Sequence, residues 1–258
     1  MRAHRLVSVL LTAVVAMLAV GVLGVAPASA VAHGTPATSG QDPFAVKLAM
    51  TAIPRPDGST YASACSASLI SPTWIITAGH CFHDVNRNRV SGPVPYPTTA
   101  TLRTVNVATN PGETRSVVAV RQSSSNDIAL AQLSAPVSDV APLRLSSTRP
   151  TVGQLLTIAG WGATSSVNPV PSTRLNTGVV RVGSVGSATV LVTGYSPARD
   201  TSACVYDSGA PYFVVVSGVP RLVSVESTGP DCPHSQLETT ARVDAVVSWI
   251  RGVVPDLP

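Results

Sequence analysis

Charge is what this 258-residue chain has least of: 12% of its residues are Asp, Glu, Lys or Arg, against roughly 25% in ordinary soluble domains. A charge-rich disordered tail is thereby excluded as its main character. Lysine is almost missing. Of the 17 basic residues all are arginines except Lys47, and the formal net charge of +4 is scattered along the chain. With no run of Lys or Arg to follow a phosphate backbone, nucleic-acid binding has nothing to rest on. No C-x-x-C pair occurs, which argues against a structural zinc site, and neither a metal nor a cofactor is expected. Long stretches of helical periodicity are also lacking. Instead 19 glycines and 22 prolines punctuate the whole length, the pattern of many short strands joined by turns.

Only one long hydrophobic run exists, Leu6 to Ala26, preceded by Arg2 and Arg5 and closed by Pro27-Ala28-Ser29-Ala30. The basic start, apolar middle and A-x-A ending read as a secretory signal over residues 1–30. At 21 residues the run is also long enough to span a bilayer as an uncleaved anchor; the small residues at its end favour cleavage. Cutting after Ala30 leaves a mature chain starting at Val31, with 15 basic and 13 acidic residues once Arg2 and Arg5 are gone. A chain of that size can bury a substantial core, as one large β domain or two small ones sharing an interface.

Cys65, Cys81, Cys204 and Cys232 form an even set in an exported chain, so two disulfides are expected. Three pairings are open. The local spacing in each half selects Cys65 with Cys81 and Cys204 with Cys232. Strands are expected over 45–51, 68–77, 101–108, 114–121 and 128–133, then over 154–160, 176–182, 188–192, 211–216 and 221–226. A Pro- and Ser-bearing linker spans 134–150. Helical spacing occurs only over 243–254, where Val243, Val246, Val247 and Ile250 share a face. The fold class is all-β with one C-terminal helix.

Three segments carry chemistry. His80 ends T-A-G-H-C straight after an apolar strand, Asp127 opens N-D-I-A-L, and Ser208 lies in D-S-G-A-P. Each alone is ordinary: a structural histidine, a turn-capping acid, a loop serine. Together they supply a hydroxyl, an imidazole to take its proton, and a carboxylate to orient the imidazole.

At these residues the sequence resembles the chymotrypsin-like (trypsin-like) serine peptidases, over nearly all of 31–254. The segment C-S-A-S-L-I-S-P-T-W-I-I-T-A-G-H-C matches the family's histidine region, N-D-I-A-L its aspartate region and C-V-Y-D-S-G-A-P its serine loop. The order His, Asp, Ser separates it from α/β-hydrolases, whose nucleophile comes first within G-x-S-x-G. The resemblance implies two six-stranded antiparallel barrels, the first over 31–140 and the second with the terminal helix over 141–258, with the site between them. It implies Ser208 as nucleophile, His80 as general base and Asp127 as orienting carboxylate. The backbone N–H groups of Tyr206 and Ser208 would form the oxyanion hole, and Ser227, Thr228 and Gly229 the strand that pairs with an extended substrate. Val31 matches the family's mature N-terminus, whose amino group pairs with the acid before the nucleophile, here Asp207. No activation peptide is then left over. His33, His83 and His234 match no motif and are read as surface or loop residues.

Three departures from the family pattern stand out. Tyr206 replaces a glycine of the oxyanion loop, Ala210 the last glycine of G-D-S-G-G, and Thr228 an aromatic residue of the binding strand. Ser202 occupies the pocket-floor position that is aspartate in trypsins, while Glu238 falls where a pocket-wall glycine is usual, which suggests a weak preference for Arg or Lys. The expectation is a secreted, monomeric serine endopeptidase acting on peptide or protein substrates and open to protein protease inhibitors, with no membrane association after signal cleavage. The rival expectation is a catalytically silent relative that binds peptide in the same cleft, favoured by Tyr206.

Overall fold

The computed structural model describes residues 31–258; residues 1–30, where a secretory signal is expected, lie outside them. Short β1 (Thr35–Pro36) precedes β2 (Ala45–Pro54), β3 (Thr60–Ser71) and β4 (Trp74–Ala78). Then come β5 (Gly92–Pro93), β6 (Thr98–Leu102), β7 (Glu113–Gln122), β8 (Ile128–Leu133) and β9 (Arg144–Leu145). The second half contains β10 (Leu155–Gly160), β11 (Asn176–Val185), β12 (Thr189–Ser196), β13 (Pro211–Val216), β14 (Val219–Thr228) and β15 (Glu238–Arg242), followed by α1 (Val247–Val253). Strands β7-β6-β2-β3-β4-β8 close on themselves through β8 and β7. Strands β11-β10-β13-β14-β15-β12 close through β12 and β11. Two closed six-stranded antiparallel barrels result, and closure leaves no long open edge.

Burial follows position. Along β11 buried and half-buried residues alternate, as a strand with one face on a barrel core requires. Strands β4 and β8 are buried on both faces, and β4 touches β14 of the other barrel. The main core cluster accordingly runs through both barrels, from Leu48, Ile76 and Leu130 to Phe213 and Leu222, and includes Ile250 of α1. Leu130, fully buried and paired across the sheet with Ile76, is expected on replacement by alanine to cost about 2–5 kcal/mol of stability. Denaturant titration checks this: the midpoint should fall with the slope unchanged.

The elements differ from expectation where turn chemistry or a side-chain contact intervenes. The single strand expected over 68–77 is two strands, because Pro72 has no N–H for a ladder and turns the chain between Ser71 and Trp74. Strand β6 starts at Thr98 and stops before Arg103, whose φ of 60° breaks the extended run. Strand β15 was not expected at all; E-T-T-A-R has no apolar alternation. The helix begins at Val247 rather than at Val243. Asp244 is held by the Arg242 guanidinium at 2.5 and 3.1 Å, and the helix has no side-chain cap at its start.

Both expected disulfides, Cys65–Cys81 and Cys204–Cys232, are present. At the N-terminal end the sequence boundary between barrels is crossed: Thr35–Pro36 pairs with β11 of the second barrel, and Ala32 bridges to Ser202. Among the described residues no helix is long and apolar enough to cross a membrane.

Candidate active site

The register of β4 against β8 sets the first half of the site. Ala78 lies opposite Ile128, so the residues just past each strand end, His80 and Asp127, emerge side by side. The Gly79 N–H donates to the Asp127 carbonyl at 3.2 Å, fixing the two chain ends together. His80 Nδ1 then lies 2.7 Å from Asp127 Oδ2, while the His80 backbone N–H donates to Oδ1 at 2.9 Å.

The second half comes from the loop between Cys204 and Pro211. Its Gly209 N–H and Ala210 carbonyl extend the ladder with Glu226 of β14, each bond 2.9 Å long. The loop also docks on the first barrel, where the Ser66 N–H donates to the Ser208 carbonyl at 2.9 Å. Gly209 has φ of +87°, and a Cβ there would lie 2.0 Å from Thr77 Oγ1 and 2.2 Å from the Ser66 carbonyl. Only glycine satisfies both the conformation and the space. This docking places Ser208 Oγ 2.9 Å from His80 Nε2. Hydroxyl, imidazole and carboxylate therefore form one hydrogen-bonded line across the cleft.

Asp127 receives more donors than the sequence suggested. Ser227 Oγ donates to its Oδ2 at 2.8 Å, and Arg89 stands 3.6 Å from Oδ1. Burial opposes its charge, but the hydrogen bonds from His80 and Ser227 outweigh it and hold the carboxyl below the usual range. Ser227, expected only on the substrate strand, thus also touches the carboxylate. Ser66 likewise went unread: its Oγ accepts the Trp161 N–H at 3.0 Å and donates to the Tyr206 carbonyl at 3.3 Å, tying the serine loop to both barrels. A serine beside a cysteine in C-S-A-S was the only available signal.

Tyr206 has φ of 75°, a left-handed conformation that strains a side chain with a Cβ. The preceding carbonyl, of Val205, accepts the Ala163 N–H at 2.7 Å. In a trans peptide the N–H points opposite to the carbonyl, so the Tyr206 N–H is turned away from Ala163. Among the described residues neither it nor the Ser208 N–H has a protein acceptor. The Tyr206 side chain packs against Ala32, Ala163 and the Cys204–Cys232 disulfide, its Oη donating to the Pro169 carbonyl at 3.4 Å; on the other side of the serine, Tyr206 and Val205 help line a cavity with Tyr61, Ser208 and the Cys65–Cys81 disulfide.

A second cavity of about 250 Å³ opens at Ser208 between Ala203–Val205 and Ser227–Cys232, so Thr228 and Gly229 lie in its wall. Ser202 and Glu238 lie deeper. Ser202 is buried with its Oγ accepting the His234 N–H, and Glu238 sits beneath Gly229, accepting from Ala203 N–H at 3.1 Å and Tyr212 Oη at 2.6 Å. Two acids line the cavity instead, Glu226 in its wall and Asp231 at its exposed rim, and the sequence reading passed over both. His83 and His234, read as surface or loop residues, are both buried, His83 against Tyr61 and Tyr96 and His234 against Glu238; His33 is exposed and bonds Asp200 at 2.9 Å.

Asp207 points away from the cleft into full burial. It accepts N–H groups from Gly162 at 2.7 Å, Cys204 at 3.0 Å and Val31, which is itself fully buried. Side chains at Gly160 or Gly162 would occupy the carboxylate's own space.

A double β-barrel with serine, histidine and aspartate aligned across its cleft is the architecture of chymotrypsin-like serine peptidases. The trypsin family model matches residues 31–250, and the chain belongs to that family. It is 30% identical over 248 residues to serine protease 56 of Mus musculus, a match covering 84% of this chain and 37% of that longer protein. It is 29% identical over 246 residues to the fibrinolytic enzyme isozyme C of Lumbricus rubellus, with 84% and 97% covered. Among solved structures, mouse neuropsin superposes with a TM-score of 0.67 at 20% identity, over 85% of this chain and 98% of that one.

Proposed function

We propose that the protein is a secreted serine endopeptidase that cleaves peptide bonds through an acyl-enzyme. Ser208 Oγ attacks the carbonyl carbon while His80 Nε2 takes its proton. The imidazolium formed is stabilised through Nδ1–H by Asp127. The Tyr206 and Ser208 N–H groups receive the developing oxyanion. His80 then gives the proton to the leaving amine, and water, deprotonated by the same imidazole, releases the acid product. Substrate lies extended along Ser227–Gly229, its side chain before the scissile bond entering the 250 Å³ cavity, with a weak preference for Arg or Lys from the acids around the pocket. The mature chain begins at Val31, works as a monomer and needs no cofactor; protein inhibitors would occupy the same cleft.

The observation that carries this reading is the unbroken line Asp127, His80, Ser208 at 2.7 and 2.9 Å. A module that only binds peptide has no use for it. The test is labelling of the secreted protein by a fluorophosphonate probe: Ser208 should be modified in the wild type and left unmodified in His80→Ala. Absence of labelling in both would favour the silent binder.

Tyr206 attenuates this activity without abolishing it. Its left-handed backbone costs about 1–3 kcal/mol, and release of 1.4 kcal/mol is worth about tenfold in rate. Tyr206→Gly is therefore expected to raise acylation by up to about 10²-fold, measured on activated ester and peptide substrates. Equal rates would mean that the tyrosine backbone already forms a fully competent hole.

A further inference from the structure

Glu226 is a buried acid that the triad does not use, and its hydrogen-bond partners leave one proton to be accounted for. Tyr212 Oη lies 2.8 Å from Glu226 Oε2 and 2.6 Å from Glu238 Oε1. A phenol has one proton to donate. If both carboxyls were ionised, one of these contacts would set an oxygen lone pair against a carboxylate with no hydrogen between them. One carboxyl must therefore be protonated and donate to the phenol oxygen.

The surroundings decide which. Glu238 also accepts the Ala203 N–H at 3.1 Å, and His234 Nε2 stands 3.4 Å from its Oε2. Glu226 has no donor other than the shared phenol among the described residues. The charged groups around it are acidic: Glu238 on β15, Asp207 in the serine loop and Asp127 before β8. Burial and these neighbours push its carboxyl well above the usual range. Asp231, exposed at the rim, is the other acid lining the cavity; His80 is the histidine there.

Resting on the peptidase reading above, we propose that Glu226 is the specificity-determining residue of this cavity. It is a neutral carboxylic acid in the empty site and gives up its proton when a lysine or arginine side chain enters. The O–H bond of the carboxyl breaks and the proton leaves to solvent; the Glu226–Tyr212 hydrogen bond is given up, Tyr212 keeps its own proton on Glu238, and the Glu226 carboxylate turns to the cation, the two paired out of water. Selectivity for a cation over a neutral side chain of equal length is then set by pH. At low pH the incoming cation must displace a firmly held proton, and at higher pH it meets a carboxylate.

The experiment compares kcat/KM for two peptide esters that differ only in lysine or norleucine before the scissile bond, from about pH 6 to about pH 9. Their ratio cancels every ionisation common to both substrates, those of the triad included. The ratio should climb with pH in the wild type. In Glu226→Gln it should fall by about 10²-fold and become flat, because a buried cation is left without its counter-charge. Asp231→Asn should keep the climb. A pH-independent wild-type ratio, an unchanged ratio in Glu226→Gln, or loss of the climb in Asp231→Asn would each overturn the proposal. Titration calorimetry of the wild type with benzamidine, in buffers of different ionisation heat, should count about one proton released per ligand near neutral pH; none released overturns it. The calorimetry stands even where Glu226→Gln fails to fold. It also separates the two readings: failure of fluorophosphonate labelling with proton release intact sinks the peptidase and keeps the pocket.

Discussion

Replacing Ser208 by alanine is expected to lower turnover by about 10⁶-fold. The size follows from the line of hydrogen bonds: without Oγ the imidazole 2.9 Å away has no nucleophile to deprotonate, and water must attack in its place. His80→Ala should cost a similar factor, since the hydroxyl then keeps its proton. The double variant should be no slower than either single one, because the groups act as a unit. What survives, about 10³- to 10⁴-fold over the uncatalysed rate, belongs to the oxyanion donors and substrate binding. Single-turnover kinetics on an activated ester measure all three variants. Losses that multiply in the double variant would mean that serine and histidine act independently.

The second large effect lies behind the cleft. Acetylating the α-amino group of a mature chain that begins at Val31 should destabilise the serine loop by about 3–5 kcal/mol, the usual result of leaving one member of a buried ion pair alone. With only peptide N–H groups around it, burial pushes the Asp207 carboxyl from 3.8 up to about 7. A carboxyl raised in this way favours the folded state fully below its unfolded pKa, and that contribution is lost as pH rises through the folded value. The acetylated protein should accordingly lose stability and activity between about pH 4 and about pH 7. The free amine has the opposite partner. Pairing raises its pKa above the usual 7.7–8.0 or so, and its contribution is complete below that range and lost in alkali. Denaturation midpoints and ester hydrolysis of both forms across this range are the measurements. Superimposable pH profiles would separate Asp207 from the amino terminus.

Much of this was legible in the sequence because the chemistry is local in the chain. His80, Asp127 and Ser208 each sit at the end of a strand or in a loop whose neighbours are fixed by backbone register, and short motifs record register well. The disulfides were legible for the same reason: both close short loops. What escaped depends on distance. Ser227 reaches Asp127 across 100 positions and Ser66 reaches Trp161 across 95, and nothing near either serine announces the partner. Glu238 was placed by counting along the chain, but depth in a barrel is set by which face of β15 a residue occupies. Glu226, one residue before the expected substrate strand, therefore took the cavity wall while Glu238 went beneath it.

Lys47 extends in a different direction. Its ammonium donates to the Ser172 carbonyl and lies 5.6 Å from the Trp161 ring centre, half-buried and with its pKa lowered. A chain that starts at Val31 has just one other amine, the terminal one beside Asp207. Such a molecule offers reagents that acylate or cross-link amines almost nothing to attack. The reactivity of its α-amino group becomes a footprint instead, silent while the terminus is docked and audible when it withdraws.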